Sequence, residues 1–159
     1  MFIVPLLLSA MIVQERGAGR IDGNPNFHFV CGVGGKRASI TTEDGRLIYR
    51  FGRPRQPELT IRQSSAEANV FYRIDWWPSA NSQQLRFANG RYSYGVSSWF
   101  VAGRHGEEGV GLFVIRDGKV ISWRRCRGDD WFSEDNQLGR LPQDQVENVS
   151  ATLDRPKKH

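Results

Sequence analysis

Gln84-Leu85-Arg86-Phe87-Ala88-Asn89-Gly90-Arg91-Tyr92-Ser93-Tyr94-Gly95-Val96 reads as two short strands and the turn between them. Leu85 and Phe87 alternate against Gln84 and Arg86, and Tyr92, Tyr94 and Val96 share one phase, with Phe100 beyond them. A period of two places alternate side chains on opposite faces of a half-buried strand. Asn89-Gly90 tolerates the positive φ that a two-residue hairpin turn needs. The same grammar runs outward in both directions. Phe27, Phe29 and Cys31 alternate, as do Leu47, Tyr49 and Phe51, Leu59 and Ile61, Val70, Tyr72, Ile74 and Trp76, and Val110, Leu112 and Val114. Asp44-Gly45 and Asp117-Gly118 supply further tight turns. Strands joined by such turns are antiparallel neighbours. The pattern therefore predicts an all-β domain: an antiparallel meander of about eight strands forming a small barrel or sandwich, followed by an irregular tail.

At 159 residues, with 39% hydrophobic content, the chain is long enough for one domain with its own core. Three segments are expected. Residues 1–18 contain the apolar run Phe2 to Val13, short for a bilayer span and suited to a signal peptide, although no basic residue precedes it. Residues 27–126 form the β domain, and residues 127–159 an acidic tail, partly packed and frayed at its end. Export gives the two cysteines a meaning. In an oxidising compartment Cys31 and Cys126 pair most simply with each other, clasping the first strand to the last. With no CxxC and only His28, His105 and His159, a metal site is not expected, nor is a cofactor. The expected location is periplasmic or secreted, without a transmembrane segment.

Charge is unevenly spread. Residues 27–126 hold 15 Lys and Arg against 8 Asp and Glu, a net +7, and residues 127–159 hold 5 against 7, a net −2. A basic body with an acidic tail implies either a tail folded onto the body or an anionic partner. Arg50, Arg62, Arg73 and Arg86 occupy the polar phase of four strands, with Trp77 in phase with Arg73 and Trp99 out of phase with its apolar neighbours. If those strands adjoin, the six residues form a recognition surface of planar donors and flat rings. The competing arrangement has arginine stems covering the sheet and the tail capping it, with Trp131 and Phe132 packed down. Catalytic signatures are sparse. Gly32-Val33-Gly34-Gly35-Lys36 lacks the phosphate-loop spacing and is followed by Arg37 rather than Ser or Thr, so it reads as a turn. A hydrolase would have to use His105 with Ser98 or Glu107. A nucleic-acid role is not expected, since no RNP-like or cold-shock-like motif accompanies the basic pI.

A leader, a cysteine on an early strand, an antiparallel barrel and a cysteine on the last strand are together similar to the periplasmic or lipid-anchored inhibitors of c-type lysozyme. The resemblance spans residues 27–126 and is architectural. Tyr94-Gly95-Val96-Ser97-Ser98-Trp99 only echoes the family's Ser-Gly-rich loop, so no inhibitory residue is transferred. What it implies is a non-enzymatic binding or inhibitory role toward a cell-envelope component or protein, such as a wall-hydrolase inhibitor or an immunity protein. The alternatives are the small hydrolase and a structural envelope subunit.

Overall fold

The computed structural model describes residues 27–104, 106–127 and 138–149, with side chains from Phe29 onward. Nine strands follow in chain order: β1 (Phe27–Val33), β2 (Lys36–Glu43), β3 (Arg46–Arg53), β4 (Gln56–Arg62), β5 (Val70–Trp77), β6 (Ala80–Asn89), β7 (Tyr92–Val101), β8 (Glu107–Arg116) and β9 (Lys119–Arg125). They form two antiparallel meanders, a four-stranded sheet ordered β1-β2-β3-β4 and a five-stranded sheet ordered β5-β6-β7-β8-β9. The fold is thus an open pair of sheets packed face to face, the sandwich form of the expected meander. β2 alternates strictly in burial although its buried phase, Ala38, Ile40 and Thr42, includes one small and one polar residue.

Turn chemistry sets the registers. Gly34-Gly35, Asp44-Gly45 and Asp117-Gly118 all have positive φ at both central positions, matching the strand twist. The β6–β7 turn is centred one residue later than Asn89-Gly90 suggests. Asn89 pairs with Tyr92, so Gly90, at φ 59°, takes the first central position and Arg91 the second.

The alternating phases meet between the sheets. Phe29, Ile40, Leu47, Tyr49 and Ile61 from one sheet pack with Val70, Leu85, Phe87, Val96 and Leu112 from the other. Tyr49 bridges them, its ring centroid 5.6 Å from that of Phe87 and 6.2 Å from that of Tyr94. Full burial of such side chains stabilises by about 1.5–3 kcal/mol each, before the entropy of ordering them is subtracted.

Cys31 of β1 is disulfide-bonded to Cys126, one residue past β9, with their Cα atoms 5.3 Å apart. Beside it Arg127 forms an isolated antiparallel bridge with Gly32. The clasp therefore joins the outer edges of the two sheets. The apolar leader, Trp131 and Phe132 lie outside the described residues.

The described part of the tail, residues 138–149, does fold back. After a 3-10 turn at Leu138–Arg140, which buries Leu138 in the core, the chain runs parallel to β5. Tyr72 N donates to Pro142 O at 3.0 Å, and Asp144 N to Tyr72 O at 2.8 Å. These bonds cover the free edge of β5, which would otherwise present unpaired backbone groups.

Candidate functional site

Residues 36–62 carry seven Lys and Arg against three Asp and Glu. Because Ala38, Ile40, Tyr49 and Ile61 face the core, the alternate residues Arg37, Ser39, Thr41, Arg50, Thr60 and Arg62 face outward. The two glutamates of these strands are engaged. Glu43 accepts Arg50 at 2.8 Å and lies 3.6 Å from Arg62, while Glu58 accepts Lys36 at 2.6 Å. Arg50 also donates to the Thr41 hydroxyl at 3.1 Å, so its guanidinium is braced from two sides. Exposed pairs of this kind contribute about 0–1 kcal/mol to stability. Their effect here is on position and on residual charge.

At one end of this face lies a cleft of about 260 Å³. Four arginines line it: Arg37 from β2, Arg50 and Arg53 from β3, and Arg55 from the β3–β4 turn, together with Ser39, Pro54 and Pro57. No carboxylate is among the lining residues. Arg37, Arg53 and Arg55 are exposed and have no ion-pair or side-chain hydrogen-bond partner among the described residues.

The turn that presents two of them is unusual. Arg53 pairs with Gln56, leaving Pro54 and Arg55 as the central pair. Pro54 suits the first position of a type II turn, and the second requires positive φ and favours glycine. Here it is Arg55, at φ 68°. A left-handed conformation costs a non-glycine residue about 1–2 kcal/mol. Such strain is concentrated at functional positions in proteins. Upstream, Gly52 at φ 147° takes the bulge, and a Cβ there would meet Glu58 N at 2.5 Å.

The six candidates from the sequence do not form one surface. Arg50 and Arg62 lie on adjacent strands of the four-stranded sheet, but Arg73 and Arg86 lie on the outer face of the other sheet. The stripe fails because β4 and β5, consecutive in the chain, belong to different sheets. Arg73 donates to Asp75, at 2.7 Å to the nearer oxygen, and that carboxylate raises the guanidinium pKa above its ordinary value. Arg86 is bound by the tail: its Nε and Nη2 donate to the Asp144 carboxylate at 2.8–3.0 Å, and its guanidinium covers the Phe71 ring at 4.5 Å. Trp77 is exposed at the end of β5, with Trp76 beside it. Trp99 is in the outward phase but only 8% exposed. Its ring packs at 5.8 Å from Trp123, with the Arg125 guanidinium at 5.3 Å. The ring has room because Gly109 stands directly across from it, where a Cβ would collide with the indole.

The hydrolase candidates are not assembled either. Ser97 is fully buried under the tail and donates to Asn148 Oδ1 at 2.7 Å. Ser98 points to the opposite face, paired across the ladder with Gln83 and Val110. Glu107 is exposed, and His105 lies outside the described residues.

Sequence reading misses Arg37, Arg53 and Arg55. Arg53-Pro54-Arg55 carries a signal nonetheless: a proline between two arginines at a strand end marks a turn that displays both. No protein-family model, curated protein or solved structure matches this chain.

Proposed function

We propose that this is an exported, non-catalytic binding protein that engages an anionic partner through the outer face of its four-stranded sheet. The observation that carries the reading is the arginine-lined cleft, where Arg37, Arg53 and Arg55 stand without counter-charges among the described residues. Folded proteins tend to pair or disperse charge, and an unpaired like-charged cluster raises the local concentration of opposite charge. The apolar leader and the Cys31–Cys126 disulfide support an oxidising, extracytoplasmic setting. No helix among the described residues is long and apolar enough to cross a membrane. Inhibition of a wall hydrolase, or immunity against a toxin, is a concrete form of such binding, in which arginines would read carboxylates or phosphates of the target.

The test uses the mature protein on an immobilised sulfated polysaccharide. Replacing Arg46 and Arg62 by Ser, outside the cleft, is expected to lower the salt needed for elution, because fewer counterions are displaced. Replacing Arg104 by Ser, on the β7–β8 loop, should leave elution unchanged. Equal elution of all three proteins would overturn the face as a binding surface. Turnover of wall, ester or phosphoester substrates that is lost on His105→Ala would replace the reading with the hydrolase.

A further inference from the structure

The cleft is more specific than the face around it. We propose that it is a site for one tetrahedral, doubly charged oxyanion, a phosphomonoester group, held by Arg37, Arg50, Arg53 and Arg55. The inference rests on the binding reading above and adds the chemistry of the ligand.

Donor supply is the first argument. Each guanidinium has five N–H donors, and four guanidiniums line the cleft with the Ser39 hydroxyl. Arg50 gives one donor to Thr41 and one to Glu43, leaving Arg37, Arg53 and Arg55 as the main supply. A carboxylate has two oxygens and is satisfied by one bidentate fork. A phosphomonoester has three terminal oxygens and nearly two charges at neutral pH, so it can take several forks together. Size is the second. Pockets for whole small molecules run from about 300 Å³ upward. At about 260 Å³ this cleft suits a charged head group and its first linking atoms, with the rest of the ligand outside. Pro54 and Pro57 offer that remainder a rigid apolar rim.

Preorganisation is the third. Arg50 is braced by Thr41 and Glu43, so less ordering remains to be done on binding. Arg55 sits in a conformation that glycine would adopt more easily. A side chain kept there at a conformational cost fits a ligand contact better than a turn role.

Calorimetric titration with inorganic phosphate and glycerol phosphate tests this. Both are expected to bind, with acetate and citrate weaker, and affinity should fall as pH drops below about 6, where the dianion gains a proton. Arg53→Ser and Arg55→Gly should each weaken phosphate about tenfold or more, the scale of a lost charge-assisted hydrogen bond. Arg55→Gly should do so without lowering the melting temperature, since it relieves the turn, which separates a lost contact from a lost fold. Arg104→Ser, on the β7–β8 loop, should leave phosphate affinity unchanged. Vesicles of phosphatidylcholine with phosphatidic acid, against phosphatidylcholine alone, tell the source. Arg53-dependent vesicle binding assigns the group to a lipid head, and glycerol phosphate binding without it assigns a soluble ligand. Citrate binding as tight as phosphate, or phosphate affinity unmoved by both cleft variants, would overturn the site. Absent phosphate binding, with Arg46/Arg62-dependent retention on the polysaccharide, overturns the cleft and leaves the binding face standing. Loss of both removes the two readings together.

Discussion

Three aromatic rings on the outer side of the five-stranded sheet lie over glycines. Trp99 lies across from Gly109, Phe113 across from Gly95, and the Trp123 ring covers Gly111. A bare glycine in a strand is costly, and a ring from the next strand restores the covered surface. At Gly95 a Cβ would meet both the Phe113 ring and the Leu85 carbonyl oxygen, and the latter is backbone and cannot move aside. Gly95→Ala is therefore expected to destabilise the fold by about 1–3 kcal/mol, read as a lower denaturant midpoint. Tyr49 yields a prediction in pH. Burial, reinforced by Tyr94, raises its phenol pKa well above the ordinary range. The protonated phenol therefore favours the fold fully below about pH 10, and stability is lost as pH rises beyond that, because the unfolded chain releases this proton first. Tyr49→Phe should show a shallower alkaline loss of stability in denaturant titrations. The depth of Tyr49 was legible from its phase. The burial of Trp99 was not, because an outward phase says nothing of what covers the outer face, and here the cover comes from Trp123 and Arg125 on β9.

Among the elements, the tail segment from Leu141 to Val149 works as a strap. It first pairs with the edge of β5, then crosses the outer face of the sheet. Asp144 takes Arg86 and Gln84, Val149 N donates to Gln84 Oε1 at 2.9 Å, and Val149 and Val146 pack with Phe113, Ile115 and Trp123. Asp144 is fully buried and the Arg86 side chain only 12% exposed. Removing one member of such a pair strands the other without compensation. Asp144→Ala is expected to cost about 3–5 kcal/mol, measured by chemical denaturation, with little relief from added salt. Ending the chain after Arg140 should additionally free the edge of β5 and cause association, visible as a larger species in size-exclusion chromatography. The acidic tail on a basic body was legible as a sign of folding back. Which arginine it takes was not, since a single pairing at separation 58 leaves no local pattern. For the same reason four outward arginines could not be divided between two sheets until the break between β4 and β5 was known.

At the scale of the whole molecule, the two sheets are separate meanders joined by a clasp at one edge. The disulfide spans 95 residues, and closing a loop of that size stabilises by about 4–5 kcal/mol in the chain-entropy model. Cys31→Ser/Cys126→Ser should lower stability by up to that amount, measured as the change in the denaturant midpoint. The fold class was legible because hairpin turns and alternation are local. The open edge between the sheets was not, because closure depends on distant pairing. The clasp has a kinetic consequence. Every strand pairing joins sequence neighbours, so each sheet can form from short-range contacts, and short-range topologies fold fast. The junction near Cys31 and Cys126 is, like the strap over β5 and β6, a long-range step, and it has little reason to form before the sheets exist. A crosslink there raises the unfolded chain and the barrier together, and so acts on the escape rate. Loss of the disulfide should then speed unfolding by up to about a thousandfold, the factor to which about 4–5 kcal/mol corresponds, while leaving the refolding rate nearly unchanged, a separation that stopped-flow chevrons resolve.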